Sequence, residues 1–263
     1  MQKSGKEKVE ILAYLFRVPY HCPMKNIFAR ARRTLARTPV SFLDIIRQNK
    51  VWFICFLLFL VIGGIMLLRS QVGDAIFFFS RNRSPFGNFF FTWFTKVGEH
   101  ATYVFLVIFF LFIRFRYSVL LAVTGITVMI VSFLSKGFFL HDRPKLFFEK
   151  LGNTDAVTLV EGVYQVTRQT SFPSGHTMSG FALFGMLAFI LRGQKVMGFI
   201  CFLTALLIGI SRIYLVQHFL KDVYVGAIFG VAIALLLFWL HSALPKNENR
   251  WYDRRFLLKK RVP

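Results

Sequence analysis

"TSFPSGHTMSGFALFGMLAF", Thr170 to Phe189, sets Pro173, Ser174, Gly175 and His176 immediately ahead of a long apolar run. A titratable histidine at the mouth of such a run is informative, because ionisable groups at membrane depth are expensive and mark functional sites by default. The run itself decides the fold. It is apolar on every face, whereas a β-barrel strand alternates in polarity over about 10 residues. The expectation is a membrane helix.

Composition extends that reading to the whole chain. Its 263 residues are 56% hydrophobic, with a mean hydropathy of +0.56, too apolar for an ordinary soluble domain. Six stretches read as spans of a polytopic, all-α helix bundle: 51–68, 100–113, 119–139, 176–191, 196–215 and 223–241. A crossing takes about 20 predominantly apolar residues. The second and fourth stretches are short and need interfacial residues to complete theirs.

Charge orients the bundle and divides the chain. Residues 1–50 hold eleven Lys or Arg against three acids, with no early apolar core that would make a signal peptide. The first span is therefore expected to remain as an anchor. The arm 1–50, the loops with Arg114 and Arg116 and with Arg192 and Lys195, and the tail 242–263 carry 22 of the 33 Lys and Arg and fall on one side of a six-helix layout. The positive-inside rule makes that side cytoplasmic, with both termini inside and the domain 51–241 between them. Topology and anionic headgroups account for the net charge of +21, so nucleic acid is not the expected partner. Cys22 lies in the arm while Cys55 and Cys201 lie in spans, a distribution that suggests neither a disulfide nor a thiolate metal site.

The opposite side receives residues 69–99, where Phe77, Phe78, Phe79, Phe86, Phe89, Phe90, Phe91 and Trp93 stand among Arg81, Arg83 and Lys96. Such a segment is expected to lie in the membrane interface. Three polar clusters fall on the same side. "KGFFLHDRP" places Lys136 and Arg143 seven residues apart, two turns if helical, on one face that can clamp an anion. The alternative is that Lys136 snorkels and Arg143 pairs with Asp142. In the opening stretch, Ser174 can cap the helix, Gly175 admits a close ligand, and the free amides of the first turn make an anion site beside His176. An ordinary cap with a histidine at the water interface is the plainer alternative. "SRIYLVQHFLKD" supplies Ser211, Arg212, His218 and Asp222, with the last two at helical i,i+4 spacing. Asp222 then either orients His218 or merely caps the sixth span.

Taken in order, Lys136, Arg143 and Pro144, then Pro173, Ser174, Gly175 and His176, then Ser211, Arg212, His218 and Asp222 resemble the three-part signature of the phosphatidic acid phosphatase type 2 superfamily, in its membrane-integral lipid phosphatase branch. The resemblance implies that His218 is a nucleophile on phosphorus, that Asp222 orients its ring, and that His176 is the general acid, later the base that activates water. It further implies that Lys136, Arg143, Ser174, Gly175 and Arg212 hold the phosphoryl oxygens. With three cations around one carboxylate, no metal and no other cofactor is expected.

The substrate implied is a membrane lipid phosphate such as undecaprenyl diphosphate, phosphatidylglycerol phosphate, phosphatidic acid or a lipid A phosphate, met at the extracytoplasmic face of a bacterial inner membrane. The loop 145–172, with Lys145, Lys150, Glu161 and Arg168, does not identify the headgroup. A lipid phosphotransferase would use the same intermediate. A lipid-phosphate binding or transport protein would not need both histidines with Asp222. A vanadium haloperoxidase shares the signature, but the membrane helices argue against it. "GAIFG", with Gly226 and Gly230, suits close helix packing within the chain or a homodimer.

Overall fold

The computed structural model describes residues 40–153 and 157–244, and no strand occurs among them. The helices are α1 (Phe42–Gln48), α2 (Lys50–Arg69), α3 (Asp74–Arg81), α4 (Pro85–Phe94), α5 (His100–Ile113), α6 (Phe115–Phe139), α7 (Pro144–Lys150), α8 (Gly175–Ile190), α9 (Lys195–Tyr214) and α10 (Leu220–Ala243), with a 3-10 turn at Thr95–Gly98. Most of the basic arm and tail lies outside the described residues. The end of the arm is α1, capped by a reciprocal Ser41–Asp44 box, and Phe42 stacks on Trp239 of α10 with ring centroids 4.8 Å apart.

Each of the six expected stretches is helical, but among the described residues four helical runs are long and apolar enough to cross a membrane: Lys50–Arg69, Phe115–Lys150, Lys195–Tyr214 and Leu220–Ala243. A fifth is added if Pro85–Gly98 and His100–Ile113, bent by 53°, form one broken span. The 16-residue α8 is too short for that criterion. It is instead the centre of the bundle, with nearly every side chain from Thr177 to Phe189 buried, and it packs chiefly against α10 and α9.

Close approach comes from missing side chains, the usual route to tight helix packing in lipid, where no hydrophobic driving force separates helix from solvent. A Cβ at Gly230 would stand 2.5 Å from the Met178 carbonyl oxygen and 2.9 Å from Phe181 Cβ, and one at Gly226 would stand 2.7 Å from the Ser174 carbonyl oxygen. The "GAIFG" face is thus used inside the chain, between α10 and α8. At the far end of α8, Trp52 is fully buried with its ring edge-on to Phe181, Phe189 and Phe202.

Two chain breaks shape the other end of the bundle. Leu140 takes a left-handed φ of +49° and stops α6, so Lys136 and Arg143 do not share one continuous helix face as their spacing predicts. Two backbone bonds, Arg143 N–H to the Arg168 carbonyl (3.2 Å) and Ser171 N–H to the His141 carbonyl (3.0 Å), then tie this break to the loop ahead of α8. Between α9 and α10, Val216 holds φ at +57°, a conformation that costs a β-branched residue about 1–2 kcal/mol. The Arg212 carbonyl offsets this by accepting both Gln217 N–H (2.9 Å) and His218 N–H (3.1 Å).

Candidate active site

His218 sits in that turn with 1% of its surface exposed. Because α10 begins at Leu220, the contact with Asp222 is made by the turn and not by helical i,i+4 register. Asp222 Oδ2 lies 3.4 Å from His218 Nδ1. The same oxygen accepts Ser171 Oγ–H at 2.5 Å and Phe219 N–H at 2.9 Å. Asp222 therefore caps α10 and faces the histidine at once, combining the two sequence alternatives. Ser171 Oγ stands 3.4 Å from the same His218 nitrogen. With Nδ1 held between a carboxylate and a hydroxyl, Nε2 is the ring nitrogen left for a ligand. Burial pushes His218 down to about 3, against the pull of Asp222, so the ring is neutral at ordinary pH and its lone pair is available.

Two cations, Arg143 and Arg212, act on His218 directly, and a third, Lys136, stands with them at the α8 mouth. Lys136, Arg143 and Arg212 lie within electrostatic reach of one another. Arg143 donates from Nε to Thr170 Oγ1 (3.2 Å) and from Nη1 to Gln217 Oε1 (3.2 Å), while Asp142 turns away to Lys150 at 2.7 Å. The Arg143–Asp142 pair weighed from sequence does not form. Arg212 is 7% exposed; Nη1 donates to Thr95 Oγ1 at 2.8 Å, and Nε has no partner among the described residues. A buried guanidinium left with open donors carries a large desolvation cost, which an arriving anion offsets.

The α8 terminus completes the ring. Ser174 is the N-cap and fully buried; its Oγ accepts from Thr177 N–H (3.4 Å) and pairs with Thr177 Oγ1 (2.9 Å), while its own N–H binds the Asp222 carbonyl (3.0 Å). A Cβ on Gly175 would stand 2.8 Å from Ser132 Oγ and 3.2 Å from Lys136 Nζ. Glycine is what lets the lysine reach the helix mouth. His176 follows, with Nε2 3.8 Å from Glu99 Oε1, and it feels the charges of Arg212 and Lys136.

The structure thus gathers His176, His218, Asp222, Lys136, Arg143, Ser174, Gly175 and Arg212 at one end of the bundle. Sequence reasoning missed Ser171, Thr170, Gln217, Thr95 and Glu99, which hold the charged groups. Ser171 and Thr170 adjoin the opening motif and were within reach of a closer reading; Thr95 and Glu99 come from a distant segment. Half of the aromatic segment also turns inward: Phe79 and Phe91 pack on Tyr214 at 5.6 and 4.5 Å, whose hydroxyl donates to Asn88 Oδ1 at 2.8 Å. Phe78, Phe86, Phe89 and Trp93 remain exposed.

Chemically, three cations, helix amides and a neutral, oriented imidazole suit a tetrahedral oxyanion and nucleophilic attack on it. Among the described residues, no group of three or more His, Cys, Asp or Glu could hold a metal ion.

Comparison with known proteins agrees with this geometry. The model of the PAP2 superfamily matches residues 116–246, the stretch that carries all eight residues of the ring, and the chain belongs to that superfamily. Its described residues form the all-helical body of an integral membrane protein. A probable lipid phosphate phosphatase 4 of Arabidopsis thaliana is 33% identical over 130 residues, 41% of this chain and 42% of that protein. Phosphatidylglycerophosphatase B of Bacillus subtilis (strain 168) is 37% identical over 92 residues, 32% of this chain and 43% of that protein. The chain thus covers less than half the length of these curated relatives. Among solved structures, Aquifex aeolicus LpxE aligns over 64% of this chain and 95% of its own, with a TM-score of 0.55 and 28% identity.

Proposed function

We propose that the protein is a metal-independent phosphatase of membrane lipid phosphates that works through a phosphohistidine. The observation that carries this reading is the buried His218, held by Asp222 and Ser171 beside Arg212. Nε2 of His218 attacks phosphorus as the bond to the lipid oxygen breaks, and His176 gives that oxygen its proton. Lys136, Arg143, Arg212, the Ser174 hydroxyl and the Gly175 amide hold the non-bridging oxygens throughout. Water then attacks the phosphohistidine, its proton passes to His176, the P–N bond breaks, and inorganic phosphate leaves.

The substrate class follows from the setting and from the relatives, which are named for lipid phosphates and phosphatidylglycerophosphate. A site among the ends of apolar helices suits a headgroup phosphate whose chains remain in lipid. In this reading α5 and α8 complete their crossings with flanking residues, giving six spans. The exposed aromatics of α3 and α4 lie in the extracytoplasmic interface beside the site, both termini are cytoplasmic, and the membrane is a bacterial inner membrane.

The test is phosphate release by purified protein in detergent from phosphatidic acid, phosphatidylglycerol phosphate, undecaprenyl diphosphate and lipid A, with EDTA present and His218→Ala as control. Release from at least one lipid that His218→Ala abolishes is expected. Release only with added divalent metal, or equal release by His218→Ala, overturns the mechanism.

A further inference from the structure

We propose that Glu99 is a specificity-determining residue, which sets the leaving-group side of the site for a neutral alcohol and so favours a lipid phosphate monoester over a lipid diphosphate. The proposal rests on the phosphatase reading and deepens it.

Glu99 is fixed by backbone packing. The preceding Gly98 lies so close to α9 that a Cβ there would stand 2.7 Å from Ile208 Cγ2 and 3.4 Å from the His176 carbonyl oxygen. This presses the 3-10 turn onto the mouth of α8. Glu99 then leaves the turn in extended conformation as the N-cap of α5, with its carboxylate 3.8 Å from His176 Nε2. Lys96, the cation on the same turn, is held over the Trp93 ring at 3.8 Å. Arg212 is engaged with Thr95 Oγ1 at 2.8 Å, and it and Lys96 both lie within electrostatic reach of Glu99.

The consequence follows from where His176 acts. The leaving oxygen must come within hydrogen-bond reach of that ring, so whatever the oxygen is bonded to lies beside the Glu99 carboxylate. In a monoester that neighbour is the carbon of an uncharged alcohol, whose alkoxide is a poor leaving group that needs a full proton. His176 supplies it from its protonated form, which the neighbouring carboxylate favours. In a diphosphate the neighbour is a second anionic phosphoryl group, which leaves without needing a strong acid and is repelled by Glu99. Proton delivery by His176 and charge both select the monoester. Glu99 acts through His176 and is a positioning residue for it, not a catalytic one.

The experiment compares kcat/KM on a prenyl monophosphate and the prenyl diphosphate of the same chain length, for wild type, Glu99→Gln and Glu99→Asp. Glu99→Gln is expected to lose roughly tenfold on the monophosphate while holding or gaining on the diphosphate, and Glu99→Asp to keep the wild-type order. Equal losses on both lipids would mean a structural role only and would overturn the proposal, as would a wild type that prefers the diphosphate. Thermal unfolding of each variant guards against misfolding. Failure of the phosphatase reading shows separately, as release that survives His218→Ala or as no release from either lipid by wild type.

Discussion

Asp222 Oδ2 stands 3.4 Å from His218 Nδ1, and both side chains are almost completely buried. Ser171 bridges them. This places a hydroxyl from the loop ahead of α8, an imidazole from the α9–α10 turn and an acid from the first turn of α10 in one buried cluster, where each fixes the orientation of the others.

The cluster orders the effects of its own mutations. His218→Ala is expected to lower turnover by roughly a thousandfold or more, and Asp222→Asn by less, since the imidazole remains. Ser171→Ala removes one hydrogen bond to the carboxylate and should cost roughly fivefold in kcat. Steady-state kinetics on folded, monodisperse protein check the order. An unaffected Ser171→Ala would mean that Asp222 and the Phe219 amide fix the ring without it.

Arg212 tests geometry against charge. Lysine keeps the positive charge but has neither the planar fork nor the reach to hold Thr95 and a phosphoryl oxygen together. Arg212→Lys is expected to lower kcat/KM by roughly a hundredfold with little change in thermal stability. Unchanged kinetics would make Arg212 a distant charge.

Burial of His218 also sets a pH dependence of stability. Its folded-state value lies near 3, below the ordinary imidazole value of about 6.5. The unfolded chain therefore binds the extra proton first, and the folded state loses stability as pH falls from about 6.5 toward 3. Wild-type Tm in detergent should drop between pH 7 and pH 5 by more than that of His218→Gln. Parallel drops would show that other groups govern acid unfolding.

Helix packing offers a test independent of chemistry. Gly230→Ala puts a methyl 2.5 Å from the Met178 carbonyl oxygen and should destabilise the bundle by about 1–3 kcal/mol. Gly137→Ala meets nothing within 4 Å and should be neutral or mildly stabilising. Comparable Tm values for the two variants would contradict the packing of α8 on α10.

The bundle was legible because hydropathy is a local property: the helices of 51–68, 119–139, 196–215 and 223–241 announce themselves residue by residue. The status of α5 and α8 was not, since a 14- or 16-residue helix gains its place from what packs around it. The reactive groups were legible because histidines and cations stand out against apolar sequence. Their supports were not. Thr95, Glu99 and Gln217 are ordinary polar residues until folding brings them to Arg212, His176 and Arg143. The break at Leu140 was hidden as well, because leucine carries no signal for a left-handed turn and only the tie between residues 141 and 171 makes it useful.

The central claim, nucleophilic attack by His218, is tested most directly by rapid alkaline denaturing quench after mixing the protein with a lipid phosphate radiolabelled in its phosphoryl group, followed by mapping of the label at alkaline pH. The account predicts an acid-labile, base-stable phosphoryl adduct on the peptide containing His218, formed no more slowly than turnover and absent from His218→Ala. Full phosphate release with no adduct at any time point, or label on another residue, would contradict it.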